Sequence, residues 1–121
     1  EMLSVKMQEA DVNVWLVNTG WTGGPYGTGN RMKLSSTRAM ITAALNNELD
    51  DADFVQHPIF GLSMPTTCPN VPTEVLNPRG TWSDKARYDA KANELAASFK
   101  KNFAQFEDYA SEEIMKGGPI V

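Results

Sequence analysis

The strongest hydrophobic pattern lies in the last third of the chain, after Ser83. Apolar and aromatic residues recur there at spacings of three and four, which predicts a long helix with one apolar face; they are Tyr88, Ala92, Leu95, Phe99, Phe103 and Phe106. Ser83 is the predicted N-cap, and the carboxylate of Asp84 suits the first turn. The apolar face either packs into a core or forms a groove for a partner, and the first interpretation is favoured because such faces usually pack inwards.

A second helical pattern follows Ser35 and Ser36, one of which is the predicted N-cap. Its expected buried positions recur with the same period: they are Met40, Ile41, Ala44, Leu45 and Leu49. Residues 1–10 carry a shorter pattern and predict the end of another helix. No capping residue precedes that pattern, and the chain starts at Glu1 rather than at a methionine. The sequence is therefore expected to be a piece of a longer protein.

Short apolar runs between these helices predict strands. Residues 12–17 form a run that is too short for a helix and predict a buried strand. Residues 31–34 alternate between polar and apolar side chains, which is typical of a short strand. Residues 54–64 predict an edge strand that bends at Pro58 and Gly61. Together the patterns predict an α/β fold with short strands and two main helices.

Two segments are predicted to lack regular structure. Residues 65–80 contain four of the seven prolines and are expected to form a long surface connection. Residues 111–121 include a Gly-Gly-Pro sequence and are expected to form a loose tail. The whole chain of 121 residues has the length of one domain or of part of one.

Composition and charge argue against several classes of function. The net charge is −4, with acids and bases interspersed, so nucleic acid and anionic membranes are not expected partners. No apolar run approaches the roughly 20 residues that span a bilayer. The single cysteine, Cys68, permits no internal disulfide and fits a reducing, cytoplasmic compartment. Because the chain also has a single histidine, a zinc site with the usual ligands is not expected.

The densest local signal is a loop in which five of the nine glycines lie between Gly20 and Gly29. An apolar run, this loop, a basic residue and a helix follow one another, as expected where a backbone approaches a phosphate. The phosphate-binding pattern G-x-x-x-x-G-K-[ST] fails, because Asn30 stands at the lysine position and Arg31 at the hydroxyl position. The dinucleotide pattern G-x-G-x-x-G fails as well, so a plain turn remains the simpler interpretation of the loop.

Two residues after the loop are candidates for contact with a nucleotide base. The guanidinium of Arg31 can stack on a purine and donate hydrogen bonds, and the hydroxyl of Thr37 lies at a helix start. The alternatives are a surface salt bridge for Arg31 and a helix cap for Thr37, and pattern alone favours these alternatives. His57 is expected to be a structural or surface histidine and Cys68 a small filler side chain in a loop, since no Ser-His-Asp or Cys-His pair indicates a reaction centre.

Several ordered motifs resemble the ATP-dependent phosphoenolpyruvate carboxykinases. The first is Val14-Trp-Leu-Val-Asn-Thr-Gly-Trp-Thr-Gly-Gly-Pro-Tyr-Gly-Thr-Gly-Asn-Arg-Met32. The others are Ser36-Thr-Arg-Ala39, His57-Pro-Ile-Phe-Gly-Leu62, Cys68-Pro-Asn-Val-Pro72, Leu76-Asn-Pro-Arg79, Thr81-Trp82 and the closing helix with Tyr88 and Phe99 to Phe106. The resemblance covers nearly the whole chain and corresponds to the C-terminal end of those much longer proteins.

The resemblance implies that residues 1–121 are the last part of the family's C-terminal, mononucleotide-binding α/β domain. The implied reaction converts oxaloacetate and ATP to phosphoenolpyruvate, ADP and carbon dioxide, an early step of gluconeogenesis. The family's contacts to the adenine side of ATP fall on Arg31, Met32 and Thr37. Met32 is a conservative departure, because family members often have another apolar residue at this position.

The residues that hold the phosphates, Mg²⁺, Mn²⁺ and oxaloacetate lie upstream in family members and cannot be placed on this sequence. The resemblance therefore implies a chain that is inactive alone and has the rest of its own polypeptide as a partner. The alternative is an independent nucleotide-binding or protein-binding module without catalysis.

Overall fold

The computed structural model describes residues 2–18 and 20–120. Glu1 of the predicted first helix, Thr19 of the first family motif and Val121 of the predicted tail lie outside the described residues. The elements follow one another in this order: α1 Met2–Ala10, β1 Trp21–Thr22, β2 Asn30–Arg31, α2 Leu34–Leu45, β3 Phe54–Gln56, β4 Ser63–Pro65, α3 Thr73–Leu76, α4 Pro78–Thr81, α5 Lys85–Phe103, a 3-10 helix Ala104–Tyr109, and α6 Glu112–Lys116.

The two longest helices, α2 and α5, are the two main helices that the apolar periodicity predicts, but both predicted caps are wrong. Asp84, not Ser83, caps α5, and its carboxylate accepts a hydrogen bond from the Arg87 amide at 3.0 Å. Both residues are good N-caps, so the pattern leaves the start of the helix uncertain by one position. Helix α2 begins earlier than predicted, and no side chain caps it.

The extended segment after α2 is a hairpin and not one bent strand. Strands β3 and β4 pair antiparallel, with Phe54 opposite Pro65 and Gln56 opposite Ser63. The chain reverses between His57 and Leu62, where Gly61 takes a positive φ of 68° that favours glycine. Pro58 and Gly61 thus mark a complete reversal, where the sequence predicted a bend.

The predicted buried strand at residues 12–17 is wrong. The segment has no regular structure, and Val12, Val14 and Leu16 are more than half exposed. A buried strand needs neighbouring strands that satisfy its backbone groups and cover its side chains. Within the described ranges both sheets are two-stranded hairpins that do not include this segment, so it has no neighbouring strand.

The predicted connection and tail contain short helices. The proline-rich residues 65–80 include α3 and most of α4, and the side chain of Asn77 accepts a hydrogen bond from the Gly80 amide at 3.2 Å. Pro78 stands at the first helical position, where a missing amide proton costs nothing. In the tail Ser111 caps α6, and the Ile120 amide donates to Ile59 at 2.8 Å. The loose-tail prediction is therefore wrong for these residues.

The buried core is small and divided into two clusters. One cluster contains Ala43, Leu49, Cys68 and Val71, and the other contains Ile59, Ala92 and Ala96. Several residues of the two predicted apolar faces are instead exposed: Ile41, Leu45, Leu95, Phe99 and Phe106. The core-facing interpretation of the aromatic face is thus wrong for Leu95, Phe99 and Phe106, whereas Tyr88 packs against the second cluster as predicted.

The accessible surface is large for the mass of the chain. It measures 9089 Å², whereas a compact monomer of this mass exposes about 6,500 Å² according to the scaling of folded proteins. The chain therefore exposes about two fifths more surface than a self-contained domain, and many large hydrophobic side chains are exposed.

The glycine-rich loop closes the hairpin formed by β1 and β2, which we call the glycine hairpin (residues 20–32). Trp21 lies opposite Arg31 in the pairing of its strands, so the segment interpreted as a plain turn contains a short strand, Trp21–Thr22. A Cβ atom at Gly29 would lie 2.6 Å from the Thr22 carbonyl oxygen and 2.8 Å from the Gly24 amide nitrogen. No side chain fits there, because real Cβ contacts are longer.

Replacing Gly29 by alanine is expected to destabilise the protein. The added methyl group must force the two strands apart, and overpacking of this kind costs about 1–3 kcal/mol or more. Urea unfolding followed by circular dichroism should show a lower midpoint for Gly29→Ala. Gly20→Ala is the matched control, because its Cβ would meet its nearest neighbour, Asn18 Oδ1, at 3.5 Å. Equal midpoints for the two variants would contradict the close packing of the hairpin.

Candidate functional site

Arg31 ends strand β2 and has an exposed side chain. Within the ranges 2–18 and 20–120 its guanidinium forms no salt bridge, so the structure does not support the salt-bridge alternative. Trp21 stands opposite it in the register, and the Trp21 ring packs edge-on against Tyr26 with ring centroids 5.1 Å apart. The hairpin therefore presents a cationic group next to an aromatic pair at the surface.

Met32 links the glycine hairpin to helix α2. Its amide donates to the Gly20 carbonyl at 3.0 Å, which extends the pairing of the two strands by one bond. The residue is half-buried. This bond fixes the backbone of Met32 relative to the first residue of the hairpin, and the helix starts two residues later.

Thr37 is the fourth residue of α2, and its amide donates to the Lys33 carbonyl at 3.2 Å. It is therefore inside the helix and does not cap it, which excludes the helix-cap alternative. The amides of Leu34, Ser35 and Ser36 precede the first intrahelical bond, and no side chain caps them. These amides give the start of α2 a partial positive charge that favours an acceptor group.

The three predicted site residues lie within seven consecutive positions, across the end of a strand and the first turn of a helix. None of the three lines either of two grooves found elsewhere on the described chain. One groove of about 530 Å³ is lined by residues such as Trp15 and Ile41, and one of about 700 Å³ by residues such as Phe99 and Met115. Both grooves are mainly apolar but include polar and charged side chains, and neither contains a predicted site residue, so neither coincides with the predicted site.

Three amides of the glycine loop donate hydrogen bonds within the protein. Those of Thr28 and Gly29 both donate to the Pro25 carbonyl, at 3.0 and 2.9 Å. The amide of Gly23 donates to the Thr81 hydroxyl at 3.1 Å. A phosphate cradle requires amides that point outward to the anion. The geometry thus agrees with the failed phosphate-binding pattern.

His57 is structural, as predicted. Its side chain is buried, and its Nδ1 atom accepts hydrogen bonds from the backbone amides of Ile59 and Phe60, each at 3.2 Å. Since Nδ1 is the acceptor, the proton is on Nε2, which lies 2.8 Å from the Tyr88 hydroxyl and donates to it. Burial lowers the pKa of His57 and raises the pKa of Tyr88, so both groups are neutral near pH 7.

Cys68 is also structural, as predicted, because it is buried in the first core cluster. Burial raises the pKa of its thiol, and the negative charge of Glu48 raises it further. A raised pKa removes the thiolate that a nucleophile or a metal ligand requires. Across residues 2–18 and 20–120, no three histidine, cysteine or carboxylate side chains are grouped to hold a metal ion.

The hydrogen bond between Gly23 and Thr81 was not predictable from the sequence. The bond between Gly23 and Thr81 joins residues 58 positions apart, and neither residue belongs to a local pattern that indicates the other.

In the part of the chain that the structure describes, no helix is both long and apolar enough to cross a membrane.

Comparison with known proteins identifies the family. The family model described as phosphoenolpyruvate carboxykinase matches residues 1–74. Proteins named phosphoenolpyruvate carboxykinase (ATP) match almost all of the chain: identity is 66% over 120 residues for Flavobacterium johnsoniae and 64% over 120 residues for Christiangramia forsetii. The Brevibacillus brevis protein is 57% identical over 121 residues.

The chain belongs to the phosphoenolpyruvate carboxykinase family, as the ordered motifs predict. The matches cover 99–100% of this chain but only 22–23% of the length of these relatives. The structure has the mixture of helices and short strands that the sequence predicts.

Protonation of His57 is expected to destabilise the fold. Its folded-state pKa lies below the ordinary value of 6.5, so the unfolded chain binds more protons as the pH falls below that value. The free energy of unfolding should be unaffected above pH 6.5 and should decrease as the pH falls through the folded-state pKa. Urea unfolding between about pH 7.5 and 5.5 measures this decrease.

His57→Asn is the matched variant, because its side-chain oxygen can still accept the two amides but does not titrate. Because position 57 no longer titrates in this pH range, the decrease should be smaller in the variant than in the parent protein. An unchanged pH dependence would contradict the assignment.

Proposed function

We propose that this chain forms the adenine side of the ATP site in an ATP-dependent phosphoenolpyruvate carboxykinase. The observation that carries the proposal is the match of almost the whole chain to proteins with that name. In the proposed enzyme oxaloacetate and ATP become phosphoenolpyruvate, ADP and carbon dioxide, and the reaction serves gluconeogenesis in the cytoplasm. The chain is then the last part of a nucleotide-binding domain.

The geometry supports an adenine-side role more than a phosphate-side role. Arg31 offers a planar cation at the surface without a salt bridge among the described residues. Such a group can stack on a purine and donate hydrogen bonds to its ring nitrogens. The amides of Thr28 and Gly29 in the adjacent loop donate to the Pro25 carbonyl, and Asn30 stands where the phosphate-binding pattern requires a lysine.

Each of the three residues has a separate part in the proposed contact. Arg31 stacks on the base, and Met32 packs against it with its apolar side chain and a backbone held by Gly20. Thr37 lies in the first turn of α2, where its hydroxyl and the uncapped amides offer hydrogen bonds to the base or ribose. These contacts exist before and during the reaction, so they contribute to ATP binding more than to the rate of the chemical step.

The chemistry itself requires groups from the rest of the polypeptide. Bound Mg²⁺ and Mn²⁺ would stabilise the negative charge that develops during decarboxylation and phosphoryl transfer. The described residues of this chain provide no grouped metal ligands, so no step through a metal is assigned to them. The part of this chain is to hold the base so that the γ-phosphate reaches the oxaloacetate-derived enolate in line.

Arg31→Ala in the complete enzyme is expected to raise the KM for ATP and to change kcat little. A lost cation–π contact of about 0.5–2 kcal/mol corresponds to roughly a 2- to 30-fold increase. The KM for oxaloacetate should stay close to its original value. Steady-state kinetics with each substrate varied in turn measures both constants.

Arg87→Ala removes an exposed arginine from α5 and serves as the control with the same change of charge. It should leave both KM values unchanged. If Arg31→Ala left the KM for ATP unaltered, the adenine-side role would be wrong.

The 121 residues alone are expected to be inactive and to gain no stability from ATP. Their exposed apolar surface and small divided core support a fold that depends on the rest of the polypeptide. Thermal unfolding of the isolated chain with and without ATP tests this expectation. A cooperative transition that ATP shifts to higher temperature would instead support an independent nucleotide-binding module.

A further inference from the structure

Thr81 is the last residue of α4, and its hydroxyl joins two distant parts of the chain. The hydroxyl oxygen accepts a hydrogen bond from the Gly23 amide at 3.1 Å and donates its own proton to the Pro78 carbonyl at 2.7 Å. Both hydrogen bonds are partly buried. Because the hydroxyl is donor and acceptor at once, a side chain without it satisfies neither partner.

The backbone of the glycine hairpin lies against α4 at this point. A Cβ atom on Gly23 would approach the Thr81 carbonyl oxygen to 3.2 Å, and Gly23 has a positive φ of 77°. Gly23 directly follows β1, and β1 pairs with β2, which ends at Arg31. The hydrogen bond to Thr81 therefore holds the strand that faces the proposed adenine-contacting strand.

Helix α4 is itself firmly attached to α5. The Lys85 ammonium donates to the carbonyls of Gly80 and Trp82, at 2.7 and 2.6 Å. Arg79 and Asp89 form two parallel hydrogen bonds of 2.7 and 2.9 Å. Residues on both sides of Thr81 are therefore hydrogen-bonded to α5, which restrains the backbone that carries the Thr81 hydroxyl.

We infer that Thr81 is a positioning residue that holds the glycine hairpin in the orientation in which Arg31 meets the adenine of ATP. The inference rests on the proposed function. Without the hydroxyl, the Gly23 amide loses its partner and the hairpin is free to shift relative to α4. Arg31 then occupies its binding orientation for a smaller fraction of the time, which weakens ATP binding by the same fraction.

The test uses Thr81→Val and Thr81→Ser in the complete enzyme. Valine has the shape of threonine without the hydroxyl, whereas serine keeps the hydroxyl and loses the methyl group. Thr81→Val should raise the KM for ATP by about 3- to 10-fold, with a much smaller change in kcat and in the KM for oxaloacetate. Thr81→Ser should bring the KM for ATP back close to the original value.

A double-mutant cycle with Arg31→Ala separates positioning from general stability. If Thr81 acts through Arg31, Thr81→Val should have little further effect on the KM for ATP once Arg31 is alanine. An equal effect in both backgrounds, or equal increases in the two KM values, would overturn the inference. If Arg31→Ala raises the KM for ATP and Thr81→Val does not, the inference alone fails.

No effect of Arg31→Ala would overturn the proposed function, and the inference with it. If Thr81→Val yields no folded enzyme, Lys85→Met tests the same link by loosening α4. A selective increase in the KM for ATP in that variant supports the inference, and its absence overturns it.

Discussion

The backbone of the glycine hairpin packs against itself so closely that Gly29 has no room for a side chain. Much of the candidate site depends on this constraint. The close contact allows Trp21 to pair with Arg31, and the same ladder continues through the Met32 amide to Gly20. Helix α2 starts two residues later, so the hairpin also determines where its first turn lies. Gly29 therefore allows the two strands of the hairpin to approach each other closely, and this role does not require a bound phosphate.

The rest of the described chain supports this hairpin through α4 and α5. Contacts of Lys85, Arg79 and Asp89 hold α4 against α5, and the Thr81 hydroxyl of α4 accepts a hydrogen bond from the hairpin. The hydrophobic clusters are small by comparison, and large apolar side chains on α2 and α5 are exposed. Under the proposed function, the remaining polypeptide of the enzyme covers these faces and provides the groups for phosphates, metals and oxaloacetate.

The long helices were predictable because their apolar period is a local property of the sequence. The strand expected at residues 12–17 was not, since a buried strand depends on partners that its own residues cannot specify. Short helices such as α3 and α4 are below the length at which a period becomes visible. Arg31 stood out by residue type and position, whereas Thr81 acquires its importance from Gly23, 58 positions away. The family motifs supplied Met32, which no pattern in the sequence indicates.

The proposed adenine site at residues 31–37 can be tested by a crystal structure of the complete enzyme with a non-hydrolysable ATP analogue. We expect the adenine ring within van der Waals contact of the Arg31 guanidinium and the Met32 side chain, with Thr37 at hydrogen-bonding distance from the nucleoside. An analogue bound with its phosphates on this hairpin, or with its adenine away from these residues, would show that the proposed site is wrong.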